Sequence, residues 1–205
     1  MSQLKELEIA LSIIKETNNI VKEENLDDEQ IAFFRDDIRK KAFFLQEEMQ
    51  EQHSDTVSKF AMFPLLAYVD EKIMFEDEKQ STSFNWTLLQ QEYYGRKDGG
   101  EYVFDIIDNL LSNEIYPPIC YRIIYFVLQD GFLGQYYNNR FDKEFLSYRK
   151  RISLIVERKD YDTSNFQDAS TVLRPMKASS FFKKSIVMLS IPTVIFGISL
   201  LYLFY

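Results

Sequence analysis

The last 21 residues of this 205-residue chain, Ser185 to Tyr205, contain no charged side chain. At about 1.5 Å of rise per residue, a helix of about 20 residues spans the roughly 30 Å hydrocarbon core of a bilayer. Arg174, Lys177, Lys183 and Lys184 precede the run with no acidic residue among them, and Tyr202 and Tyr205 stand where an interfacial aromatic belt would lie. A buried core helix is the competing reading, but such helices rarely run this long without a charge. The pattern predicts a single C-terminal membrane span with nothing beyond Tyr205 to form a domain on the far side.

The N-terminus, Met1-Ser2-Gln3-Leu4-Lys5-Glu6-Leu7-Glu8, has neither the basic start nor the apolar stretch of a secretory signal. Lysine and arginine beside a span are retained on the cytoplasmic side, so the body is expected in the cytoplasm. A lone cysteine, Cys120, fits a reducing compartment. Residues 1–173 carry a net charge of −12, from 32 acidic against 20 basic residues. Such a body is repelled by nucleic acid and by anionic lipid, and its expected partners are basic protein surfaces.

Glycine and proline are scarce and fall mostly between apolar-periodic runs, which predicts an all-α body. The expected helices run from about Gln3 to Lys22 and then along a stripe of Ile31, Phe34, Ile38 and Leu45, with N-caps available between Asn25 and Asp28. A third starts near Ser54 or Asp55 and passes Pro64, where a kink or break is expected, to about Phe75. Glu76 to Ser83 reads as a loop, and Phe84 to Tyr94 as a short helix carrying Trp86. Helices follow over Glu101–Leu111, from Pro117-Pro118 through Ile119–Leu128 as the central buried element, and over Asp142–Arg158. The organisation is a helical domain over residues 1–160, a linker with the basic flank over 161–184, and an anchor over 185–205.

The composition offers no catalytic, cofactor or metal set. His53 and Cys120 are single and fall in different elements. His53 reads as a solvated turn residue and Cys120 as a small hydrophobe. Gly95, Gly99 and Gly100 are not followed by the Lys-Ser/Thr of a phosphate loop. Carboxylates are too numerous to point to a particular acid/base pair, and a membrane-tethered enzyme would need two of them converging in a deep pocket.

Three constellations stand out. Asp70 and Glu71 project from an otherwise apolar helix, Asp70 toward Phe63, Leu66 and Met74. Either they mark a solvated last turn, or Asp70 is buried and hydrogen-bonded with Glu71 more exposed and free for a partner. Gly95 to Glu101 reads as an interhelical turn with Glu101 at a helix start, or as a contact loop whose glycines expose backbone. Gly131-Phe132-Leu133-Gly134-Gln135-Tyr136 reads as a packed corner.

In order, Ala67-Tyr68-Val69-Asp70-Glu71, Trp86, Tyr94-Gly95, Gly99-Gly100-Glu101 and Gly131-Phe132-x-Gly134-x-Tyr136 resemble the DotU/IcmH/TssL family. That family supplies the small inner-membrane subunit of bacterial type VI secretion systems, with a branch in type IVB systems. The resemblance covers roughly Leu4 to Arg158 plus the anchor. It implies a hook-shaped cytoplasmic domain of two small helical bundles on one span. It also implies association with a large IcmF-like inner-membrane subunit, contact with the cytoplasmic baseplate, and self-association as a dimer or higher. Some members carry a periplasmic peptidoglycan-binding domain, so cell-wall anchoring here is expected to come from a partner. Tyr94-Gly95-Arg96 stands where the family often has histidine before Gly-Glu, which marks a divergent branch. The other reading is a tail-anchored acidic adaptor unrelated to secretion.

Overall fold

The computed structural model describes residues 2–23, 26–80 and 86–172. The predicted anchor and its flank, Arg174, Lys177, Lys183 and Lys184 included, lie outside them. Among the described residues there is no strand, and no helix is long and apolar enough to cross a membrane. The elements are α1 (Ser2–Ile20), α2 (Asp28–Gln52), α3 (Asp55–Gln80), α4 (Leu89–Tyr94), α5 (Gly99–Ser112), α6 (Pro118–Gln129), a 3-10 turn (Gly134–Tyr136) and α7 (Lys143–Val172). The chain divides into two compact units, Met1–Tyr161 and Asp162–Tyr205.

Local chemistry explains most boundaries. Asp27 caps α2 by accepting from the Gln30 amide at 2.8 Å, and the Gln30 side chain accepts from the Asp27 amide at 3.0 Å. Pro118 opens α6, where a missing N–H costs nothing. The end of α6 is a Schellman turn: Phe132 donates to the Val127 carbonyl at 3.1 Å, and Gly131 supplies the left-handed residue at φ +96°.

Five expectations are corrected. The centre of the body is α3, which packs against α1, α2, α4, α5 and α6; α6 is buried as expected but lies beside it. Every residue from Phe60 to Asp70 is buried, so α3 is covered all round. That burial holds the helix continuous through Pro64, against a cost of about 3 kcal/mol for an interior proline. The helix also continues through Glu76 to Gln80, because Glu76 turns its carboxylate inward and receives Lys79 one turn on at 3.0 Å. Trp86 lies before α4 rather than inside it, for the reason given in the next section. The stretch from Tyr161, read as linker, is helical to Val172; no glycine or proline separates Asp142 from Arg174, so nothing in the chain stops the helix.

Candidate functional site: a carboxylate junction

Asp70 sits near the middle of α3 with 1% of its surface exposed. Oδ1 accepts from the Trp86 indole at 2.9 Å and from the Leu89 amide at 2.8 Å, and Oδ2 accepts from the Gln90 amide at 3.0 Å. These amides open α4, whose own flanking residue, Leu88, offers no side-chain acceptor. Asp70 therefore caps a helix that begins 19 residues downstream, with its charge at the positive end of the helix dipole. The bond to Trp86 draws that residue out of the helix and over α2, where its ring stacks on Phe34 at 6.1 Å and lies beneath the Arg35 guanidinium. Arg35 and Arg39 then hold Glu92 of α4 at 2.6 and 2.8 Å. Burial pushes the Asp70 carboxyl up to about 6 despite its three N–H donors, so it is anionic at neutral pH.

Glu71 is half-buried and points to a different element. Its Oε1 accepts from the Leu133 amide at 2.8 Å and its Oε2 from the Gly134 amide at 2.7 Å. Leu133 is right-handed and Gly134 left-handed at φ +51°, so two successive N–H groups form a nest around one carboxylate. Burial raises the Glu71 carboxyl above the usual range, opposed by those two bonds. Glu71 is thus engaged inside the chain, which corrects the expectation that it is free for a partner. Replacing it with glutamine, whose NH2 would face one of the nest amides, should cost about 1–2 kcal/mol. Hydrogen exchange at Leu133 and Gly134 should accelerate selectively.

The glycines complete the junction. A Cβ on Gly99 would lie 2.3 Å from the Gln90 side chain, and one on Gly100 would lie 3.2 Å from the Gly134 backbone. The start of α5 is therefore pressed against α4 and the Leu133–Gly134 turn. Gly95 ends α4 at φ +66°. Glu101 is exposed in the first turn of α5. Phe132 is buried against Phe104, and Tyr136 packs on Phe104 at 4.8 Å while its hydroxyl donates to Glu144 at 2.6 Å. The paired glycines serve close packing within the chain, which corrects their reading as exposed contact backbone. Two charges of that loop are also engaged, since Arg96 pairs with Asp98 and stacks 3.8 Å from the Tyr102 ring centre.

Two features escaped the sequence reading. Asp130 joins three helices: it accepts from Asn18 at 2.8 Å and from the Tyr68 hydroxyl at 2.5 Å, and its carbonyl accepts from Lys72 at 2.8 Å. An acidic residue at a helix C-terminus opposes the dipole, and that mismatch was the available signal that it is paired elsewhere. His53 is largely buried, with Nε2 3.2 Å from the fully buried Glu6 of α1, and is no solvated turn residue. Cys120 is buried and its thiol is pushed up to about 12, so it is unreactive. Asp70 and Glu71 diverge toward separate backbone amides and do not converge on a reacting atom. An open groove of about 460 Å³ beside them is lined by Met74, Phe75, Phe132 and Tyr137, with Lys97 and Glu78 at its edge.

Solved structures share this fold. The solved structure of DotU from Francisella novicida is 52% identical, with a TM-score of 0.72, over 76% of this chain and 99% of that one. SciP/TssL from enteroaggregative Escherichia coli shares the fold at 17% identity and a TM-score of 0.53, over 74% of this chain and 85% of that one. No curated protein matches the sequence significantly. The family model described as type VI secretion system protein DotU matches residues 10–205, junction and C-terminal run alike, and the chain belongs to the DotU family of type VI secretion system proteins.

Proposed function

We propose that this chain is a non-enzymatic structural subunit of a type VI secretion membrane complex. In this reading the helical body stands in the cytoplasm and Ser185–Tyr205 holds it in the inner membrane. There it links a large IcmF-like subunit to the cytoplasmic baseplate and associates with further copies of itself. The observation that carries the reading is the use made of the motif residues: Asp70, Glu71, Gly99, Gly100 and Gly134 all fix the chain's own helices. A body rigidified in this way and carrying excess negative charge suits docking. Tethering raises effective concentration, so modest contacts to two partners suffice together.

Deleting residues 185–205 should abolish secretion while the helical body keeps its circular dichroism spectrum and urea midpoint. Protease added to spheroplasts should leave the body of the full chain intact. Normal secretion by the anchorless form would overturn the tethering role, and external cleavage of the body would overturn the topology.

A further inference from the structure

Between the C-terminal half of α1 and the N-terminal half of α2 lies an open groove of about 650 Å³, which meets the carboxylate junction only through Phe34, the ring on which Trp86 stacks. Its floor is apolar, with Ile20, Phe34 and Phe33, the last 78% exposed. Its walls carry Glu16, Glu23, Glu29 and Asp37, and among the described residues no lysine or arginine lines it. Lys41, beside the groove, is bonded to both Glu16 (2.6 Å) and Asp37, so two carboxylates share one cation and the rim keeps net negative charge. Burial and the nearby Asp37 raise the Glu16 carboxyl, consistent with two acids crowded at that rim.

Further along α2, past Lys40, which is paired with Asp36, stands a second exposed aromatic pair. Phe44 stands eleven residues after Phe33, three helical turns, and returns to within about 20° of the same face. Phe43 and Phe44 are themselves exposed and meet edge to face at 6.0 Å. Phe33 and Phe44 thus stand about 16 Å apart along the helix.

We propose that this groove docks a basic amphipathic segment of another protein, with apolar side chains on Phe33 and Ile20 and lysines or arginines against Glu16, Glu23, Glu29 and Asp37. The inference rests on the reading of the body as a docking surface and is independent of the membrane anchor. Charge complementarity selects the occupant. A second copy of the body would bring further negative charge to a negative rim. The chain's own basic stretch, Arg174 to Lys184, is the competing occupant, and tighter peptide binding once its four basic residues are replaced by glutamine would overturn the proposal.

The test uses the full chain in nonionic micelles and two fluorescent amphipathic peptides of about 14 residues, one Leu/Lys and one Leu/Glu. Anisotropy should report binding of the Leu/Lys peptide beyond that to empty micelles, and none of the Leu/Glu peptide. Phe33→Ser should weaken binding at least about 10-fold. Glu23→Gln with Glu29→Gln should weaken it about 3- to 10-fold and flatten its salt dependence. Phe141→Ser, at an exposed phenylalanine elsewhere, should change nothing. The proposal is overturned if the Leu/Lys peptide binds no better than to empty micelles, if the Leu/Glu peptide binds equally, or if Phe33→Ser and Phe141→Ser behave alike. It is also overturned if Phe33→Ser dissociates a dimer of the chain, which would assign the groove to a second copy.

Discussion

Replacing Asp70 with alanine is expected to lower the stability of the helical body by about 3–5 kcal/mol, a large fraction of what a domain of this size has. The substitution strips the acceptor from the Trp86 indole and from two buried amides at the start of α4. Each stranded donor costs about 1–3 kcal/mol, less than additively because Trp86 and α4 can partly withdraw to water. Urea unfolding followed by circular dichroism would measure the loss, and a change below about 1 kcal/mol would show that α4 does not depend on this cap.

The same residue sets a pH dependence with a definite sign. Its carboxyl is raised from 3.8 to about 6 in the folded state, so folding favours the protonated form. The stability that this preference supplies is fully present below about pH 4 and is lost as pH rises through about 6. The shift corresponds to about 3 kcal/mol. Asp70→Asn cannot titrate, so the stability advantage of the natural residue over asparagine should shrink between pH 4 and 7. A constant difference across that window would contradict the assignment. Ionised Asp70 still outperforms alanine at neutral pH, because stranded donors cost more than a hydrogen-bonded buried charge.

Gly134→Ala should be comparably damaging, at about 3–5 kcal/mol. The residue is left-handed at φ +51°, and an added Cβ would fall 2.5 Å from the Gly100 carbonyl oxygen and 3.0 Å from the Gly100 Cα. Backbone meets backbone there, so relief requires parting the start of α5 from the Leu133–Gly134 turn and loosening the nest around Glu71. Gly95→Ala separates the two contributions. It has φ +66° but nothing within 4 Å of the new Cβ, so only the conformational cost of about 1 kcal/mol applies. Gly99→Ala should fall between them, because the obstructing atoms belong to the Gln90 side chain, which can move. Equal urea midpoints for Gly95→Ala and Gly134→Ala would show that close packing at Gly100 is not the cause.

The sequence by itself determined what depends on neighbours within a few residues. The stripe of Ile31, Phe34, Ile38 and Leu45 is the buried face of α2, since period and burial are read from one helix. Gly95, Pro118 and Gly131 stand at helix ends because backbone dihedrals and missing donors act locally. Tertiary structure decided whatever couples distant residues. That Asp70 and Glu71, adjacent on α3, would turn to amides 19 and 62 positions away has no local signature, because a carboxylate on an apolar helix announces only that it needs a donor. The start of α4, the continuity of α3 past Pro64, and the burial of His53 against Glu6 share that origin. In each case the deciding energy is burial or hydrogen bonding to another helix, and it outweighs the local preference of the residue concerned.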